Sequence, residues 1–202
     1  MPVIQVFAKP PLEGQVKTRL IPDIGAVKAA RVFKYCLQYT LDLVRASAFD
    51  HQIWLSAASR HPVFQSESCH LQQGDDLGAR MLFAINHQLS MHPSTDGRVV
   101  LIGSDCLDLS QRHLDQAFAA LATNDIVLLP TIDGGFALIG CRIAAPRLFA
   151  RVEWSTSRVL KQTLDNARSL NYRVALLDTV RDIDTLPDLV HYPELLSIIQ
   201  QN

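Results

Sequence analysis

Six short segments hold the residue types from which a reaction could be built. The first, Lys9-Pro10-Pro11-Leu12-Glu13-Gly14-Gln15-Val16-Lys17-Thr18-Arg19, follows an apolar run and sets three cations around one glycine. Phosphate recognition needs fixed positive charge beside backbone N–H groups that can approach closely. Lys9, Gly14, Lys17 and Arg19 offer both; a solvated basic loop is the alternative. This is not a Walker A loop, because Val16 stands where glycine must precede the lysine, and no GxGxxG follows the run. The second segment closes the apolar run Val99–Gly103 with Ser104-Asp105-Cys106. Asp105 there could give a carboxylate oxygen to a hard divalent cation, or cap a turn. Asp108 reads as a turn or cap residue.

The third segment, Thr131-Ile132-Asp133-Gly134-Gly135, lies between two apolar runs. Asp-Gly in that setting is a hairpin signal that needs only positive φ. The same turn could also face the Asp133 carboxylate to a substrate, with Gly134 and Gly135 permitting close approach. The fourth, Arg181-Asp182-Ile183-Asp184-Thr185, offers two carboxylates to a metal or a substrate, although one can instead cap the helix that follows. In the fifth, Gln73–Met81, Asp76 is a ready N-cap, while Gly78 and Arg80 could face an anion or a nucleotide near a helix N-terminus. In the last, Glu153-Trp154-Ser155-Thr156, Trp154 either packs or lines a base or sugar pocket. Jointly the segments sort by charge: cations after the first apolar run, carboxylates after three later ones. Aspartates repel a phosphate that cations attract, and unit charges ~4 Å apart interact by about 4 kcal/mol at an effective dielectric of 20. The set makes sense if a divalent cation, Mg²⁺ or Mn²⁺, lies between Asp105, Asp182 or Asp184 and a diphosphate. That is the chemistry of transfer from a nucleotide-activated donor.

The elements that must position these residues alternate. Val3–Ala8, Gln52–Ala57, Val99–Gly103, Ile126–Pro130, Phe136–Gly140 and Arg173–Leu177 read as strands, with a short one near Cys69–Leu71. The continuous apolar runs among them suit strands buried on both faces. Helices are expected from near Ile24 to Ala46, where Ala30, Phe33, Leu37, Leu41 and Val44 recur at three and four, and over Leu77–Leu89. Others are expected from Ser110 to about Ala122, from a cap at Ser155 through Val159, Thr163, Ala167 and Leu170, and from Asp184 or Thr185 onward. Alternation of this kind predicts an α/β fold with a mostly parallel sheet and helices on both faces. Ligands in such sheets bind beyond the carboxyl ends of the strands, where these six segments fall.

Composition narrows the class. The chain has 202 residues, 48% hydrophobic and 19% charged, with a net charge of -1. Such a mixture excludes disorder, and the absence of a basic excess argues against nucleic acid as partner. No apolar run approaches the ~20 residues of a membrane span, and Val3–Ala8 is too short for a signal-peptide core. One cytoplasmic domain over residues 1–202, with no membrane partner, is the expectation. Cys36, Cys69, Cys106 and Cys141 form no CxxC or zinc-type spacing and read as reduced thiols.

In this order the segments resemble DUF2064, a family of small bacterial glycosyltransferase-like proteins of the GT-A superfamily, part of which is described as arsenosugar-biosynthesis glycosyltransferases. The resemblance runs through Phe7-Ala8-Lys9, Gly14, Val16-Lys17-Thr18-Arg19-Leu20, Asp76-Leu77-Gly78, Arg80-Met81, Ile102–Cys106, Asp133–Phe136, Leu138–Gly140, Trp154-Ser155-Thr156 and Asp182–Thr185. It implies a three-layer α/β/α GT-A fold with one antiparallel strand, placed at Phe136–Gly140. It also implies a nucleotide-diphosphate-sugar donor, a small-molecule acceptor and Mg²⁺ or Mn²⁺ at Asp105. Asp133 is then the candidate general base of an inverting transfer. Related superfamily members, the molybdopterin and phospholactate nucleotidyltransferases, use a similar loop on nucleoside triphosphates, so nucleotidyl transfer is the second reading and a non-catalytic nucleotide-binding protein the third. Three positions depart from the family: Leu107 and Glu13 stand where proline is usual, and Phe136 replaces a tyrosine. Leu107 is expected to loosen the metal loop and Glu13 to weaken diphosphate binding.

Overall fold

The computed structural model describes residues 2–91 and 97–200. Seven strands form one sheet: β1 (Val3–Ala8), β2 (Asp50–Leu55), β3 (Cys69–Leu71), β4 (Val99–Ile102), β5 (Ile126–Pro130), β6 (Phe136–Cys141) and β7 (Val174–Leu176). Their order is β3-β2-β1-β4-β6-β5-β7. β6 runs antiparallel to β4 and β5, and every other pairing is parallel. The helices are α1 (Ile21–Ile24), α2 (Ala26–Ala46), α3 (Leu77–Met91), α4 (Gln111–Ala120), α5 (Val159–Ser169), α6 (Leu186–Leu189) and α7 (Pro193–Gln200).

Successive side chains of a strand point to opposite faces, and here both faces are covered. Ile4, Val6, Val100, Ile102, Val127, Leu129 and Leu138 join Phe33, Leu37 and Leu41 of α2 and Leu114 and Phe118 of α4. Phe7, Val99, Leu101, Ile126, Leu128 and Ile139 join Met81 and Ile85 of α3 and Ala167 of α5. The result is the expected three-layer sandwich. A third cluster, with Leu20, Ala29, Val32, Cys36, Ile183, Tyr192 and Leu195, packs α7 on the far side of α2. So α2 buries a second stripe, beside the one its spacing announced.

Several boundaries differ from expectation. The helix drawn from Ile24 to Ala46 is broken at Gly25, whose φ of 79° cannot continue a helix. β2 starts two residues earlier than the apolar pattern, because parallel pairing to β1 carries Asp50 and His51 into the ladder opposite Val3 and Ile4. Ser155 does not cap α5: it lies in a turn with φ 62°, and the helix begins at Val159. Ser110 does precede α4, where its N–H donates to His113 Nδ1 at 3.2 Å. Thr185 rather than Asp184 starts α6, its N–H and hydroxyl both bonded to Asp188 Oδ2 at 2.8 Å. Cys36, Cys106 and Cys141 are buried free thiols and Cys69 is an exposed one. Among the described residues no helix is long and apolar enough to cross a membrane.

Gly140 shows how tightly the sheet meets its covering layer. A Cβ there would stand 2.4 Å from Val127 Cγ1 and 3.1 Å from Leu121 Cδ1. Overpacking of this kind costs about 1–3 kcal/mol. Gly140→Ala is therefore expected to lower the melting temperature by roughly 2–12 °C for a chain of this size, measurable by circular dichroism.

Candidate active site

The loops after β1, β4, β5 and β7 converge at the carboxyl ends of the parallel strands. β6 explains why the Asp133 turn joins them: a strand that runs antiparallel begins where its parallel neighbours end, so the β5–β6 turn rises on that side. The segment after β7 then crosses the strand ends. Val180 N donates to Pro130 O at 2.9 Å, Ile132 N to Val180 O at 3.1 Å, and Ile183 N to Asp105 O at 3.3 Å. Asp108 fastens the crossing, accepting from Arg181 N at 3.0 Å and from the Tyr192 hydroxyl at 2.9 Å. Asp108 thus lies in the expected turn, and its side chain ties loops together instead of capping a helix. Leu107 is buried in the α2–α7 cluster, so with these ties the β4 loop is anchored rather than loosened.

Within this frame Lys17 occupies the centre. Its side chain is only 3% exposed, and Nζ lies 3.0 Å from Asp105 Oδ2 and 3.4 Å from Asp184 Oδ1. It also donates to the Ile183 carbonyl. Burial pulls against the charged form, but Asp105 and Asp184 outweigh it, and the Lys17 pKa stands above its usual value. Arg19, 55% exposed, reaches the other oxygen of Asp184 at 2.7 Å. Asp184 keeps its carboxylate for these cations because Asp188 accepts from the Asp184 N–H and does the helix capping.

Two adjoining cavities open here. The larger, about 470 Å³, has Lys9, Lys17, Arg19, Arg80, Asp105, Asp133 and Asp184 on its walls. The smaller, about 230 Å³, is more apolar, with Met81, Phe136, Trp154, Gly135, Asp133 and Asp182 among its lining. Asp133 borders both. Its Oδ1 accepts from the Thr131 hydroxyl at 2.5 Å and from Gly135 N at 3.0 Å. One oxygen of Asp133 thus builds the turn while the residue also lines both cavities.

Other residues singled out in the sequence line neither cavity. Gly14, at φ 75°, is exposed in the β1 loop, and Glu13 is exposed beside it. Asp76 caps α3, its Oδ1 accepting from Ala79 N at 2.7 Å. Gly78 is buried where a Cβ would strike the Trp154 ring at 2.7 Å; it makes room for that ring instead of facing an anion. Gly134, at φ 89°, would strike Ser157 O at 2.2 Å if it bore a Cβ, and its carbonyl accepts from Leu160 N at 2.9 Å. Its role is to seat the turn against α5. Conversely, Ser56 and Gln72 line the larger cavity unannounced, and Thr18 and Ser155, inside segments already singled out, line it without having been assigned a binding role. Only the positive φ of Ser155 marks one of them, and no pattern of residue types reports that.

These features define a class. A mostly parallel seven-stranded sheet with one antiparallel strand, bearing its loops and cavities at the carboxyl ends, is the fold of nucleotide-diphospho-sugar transferases and cytidylyltransferases. The chain belongs to the family of uncharacterized proteins conserved in bacteria, DUF2064, whose model matches residues 32–156. It is similar to a nucleotide-diphospho-sugar transferase, provisionally so named, from Desulfovibrio desulfuricans G20, with 28% identity, TM-score 0.87, and 99% of this chain and 97% of that one covered. More distant likenesses establish the fold alone. One is CMP:2-keto-3-deoxy-manno-octonic acid synthetase complexed with CTP, at 11% identity and TM-score 0.59, covering 97% and 98% of the two chains. Another is Rv0371c from Mycobacterium tuberculosis H37Rv in complex with manganese, at 20% identity and TM-score 0.56, covering 96% and 98%. No curated protein matches the chain.

Asp182 registers the crowding of carboxylates. Burial, then Asp133, Asp184 and Asp105, push its carboxyl up to about 6. A folded-state value above the unfolded one means the folded protein takes up the extra proton in the window from ~4 to about 6. Charged Asp182 thus weakens the fold above that window, and the penalty fades as pH falls through it. In metal-free buffer Asp182→Asn is expected to melt higher than wild type at about pH 7.5, by about half as much at about pH 5, and to close on wild type as pH falls to about 4. A gap that stays constant across that range contradicts the assignment.

Proposed function

We propose that this chain is a metal-dependent transferase that takes a nucleotide-diphosphate-sugar as donor and passes the sugar to a small-molecule acceptor. The observation that carries this reading is the meeting of two unlike cavities at one carboxylate, Asp133. Lys9, Arg19 and Arg80, around the larger cavity, suit a diphosphate, and its size suits a nucleotide. The smaller one, between Trp154, Phe136 and Met81, suits a sugar face or an acceptor. In an inverting transfer Asp133 would accept the proton of the acceptor hydroxyl through the oxygen that the turn leaves free.

Mg²⁺ or Mn²⁺ fits this set in kind, since the donors are hard carboxylate oxygens. Among the described residues no three or more His, Cys, Asp or Glu form a cluster able to hold an ion. Mg²⁺ commonly uses one or two carboxylates and completes its shell with substrate phosphates. Asp105 and Asp182 would be the protein's share, with Asp184 committed to Lys17 and Arg19. When bound, the ion would neutralise charge on the leaving diphosphate. Manganese in the Rv0371c neighbour is in keeping with this choice.

The test is stabilisation by ligand. UDP-, GDP- and ADP-sugars are compared with CTP, GTP, ATP and UTP, each with Mn²⁺, Mg²⁺ or a chelator. A ligand at a hundred times its Kd contributes ~2.7 kcal/mol, a rise of roughly 5–10 °C here. A nucleotide-sugar that stabilises only with metal, less so in Arg80→Ala and Lys9→Ala, supports the reading. Asp133→Asn is expected to lower kcat of the transfer by roughly a hundredfold to ten-thousandfold while leaving donor affinity near wild type. Pyrophosphate released from a triphosphate would overturn it in favour of nucleotidyl transfer, and a protein stabilised without turnover would point to a non-catalytic binder.

A further inference from the structure

Lys17 departs from what a phosphate-binding lysine should look like. An ammonium has three N–H donors, and Lys17 spends them on three acceptors of its own chain: Asp105 Oδ2 at 3.0 Å, Asp184 Oδ1 at 3.4 Å and the Ile183 carbonyl. None is left for a ligand. The side chain is 3% exposed, against 55% for Arg19, so the charge faces the protein more than the cavity. The backbone holds it there. Lys17 has φ 47°, the buried Val16 and Leu20 pin the loop on both sides, and Leu20 N donates to Lys17 O at 2.9 Å. Lys9, Arg19 and Arg80 remain to meet phosphate.

Lys17 therefore sits on Asp105, one of the two carboxylates that would serve a divalent ion, and on Asp184 beside it. Two like charges within a few ångströms repel, the more so where protein excludes water. We propose that Lys17 is the resident counter-ion of Asp105 and Asp184 and keeps a free divalent cation off them, so that metal enters only with a diphosphate whose negative charge draws the ammonium away. This rests on the metal-dependent reading above and makes Lys17 a positioning residue. It assigns the chain an order of loading: the metal arrives as its phosphate complex, and ligand-free protein stays metal-free.

The experiment titrates the intact protein with Mn²⁺ alone, following free Mn²⁺ by electron paramagnetic resonance. Wild type is expected to bind weakly. Lys17→Met and Lys17→Gln, checked for folding by their melts, are expected to bind Mn²⁺ at least about tenfold more tightly, as removal of a nearby like charge requires. Lys17→Arg, which keeps the charge, should stay weak. Equal binding by wild type and the folded neutral variants overturns the proposal. Should both variants fail to fold, wild type labelled with ¹⁵N-lysine decides. The Lys17 ammonium resonance must hold its position with Mg²⁺ alone and move when pyrophosphate is added; movement with Mg²⁺ alone overturns the idea. If Mn²⁺ binds wild type tightly without pyrophosphate, the proposal is overturned while the metal-dependent reading stands. If no protein binds Mn²⁺ even with pyrophosphate, the metal-dependent reading falls with it.

Discussion

The Lys17 ammonium is the contact on which the site's geometry rests. It belongs to the loop after β1 and holds one carboxylate from the loop after β4, and one carboxylate and one carbonyl from the segment after β7. Without it Asp105 would lose the cation that pairs with it, and Asp184 would keep Arg19. Its energetic worth is bounded by its partners. A fully buried pair costs about 3–5 kcal/mol to break, whereas exposed pairs are worth about 0–1 kcal/mol. Asp105 and Asp184 are 43% and 36% exposed, so solvent screens the contact toward the lower figure. Its importance is positional more than thermodynamic.

Three features of the fold supply the groups that Lys17 gathers. Parallel strands bring their carboxyl ends to one side. The single antiparallel strand, β6, adds the Asp133 turn to that side. The segment after β7 starts at the sheet's edge and crosses toward β4, held by Pro130, Asp105 and Asp108. Val180 and Ile183 are buried, so their crossing bonds satisfy backbone groups that would otherwise lack a partner. The same path that keeps these groups bonded carries Asp182 toward Asp133.

Much of this was legible in the sequence. The apolar runs marked the strands because burial on both faces leaves no polar alternation, and the Ala30–Val44 stripe marked the sheet-facing side of α2. The loop cations and aspartates were marked by their position after those runs. Other parts were not legible. The second stripe of α2 depends on α7, far away in sequence. Asp76, Gly78 and Gly134 matched ligand-binding patterns, yet a carboxylate that caps, a glycine that admits a tryptophan and one that seats a turn look the same as types. Asp108 gave no sign that it ties two loops, because its partners Arg181 and Tyr192 lie more than seventy residues away.

By itself the sequence determined the α/β class, the order of the strands along the chain, and which residue types stand at the strand ends. Those follow from local physics: hydrophobic period, turn chemistry and charge. Tertiary structure alone decided which of those residues meet. Whether a lysine faces a ligand or its own aspartates depends on distances of a few ångströms between segments separated by as many as 167 residues. Coulomb energies change steeply over that range, and spacing along the chain does not encode it.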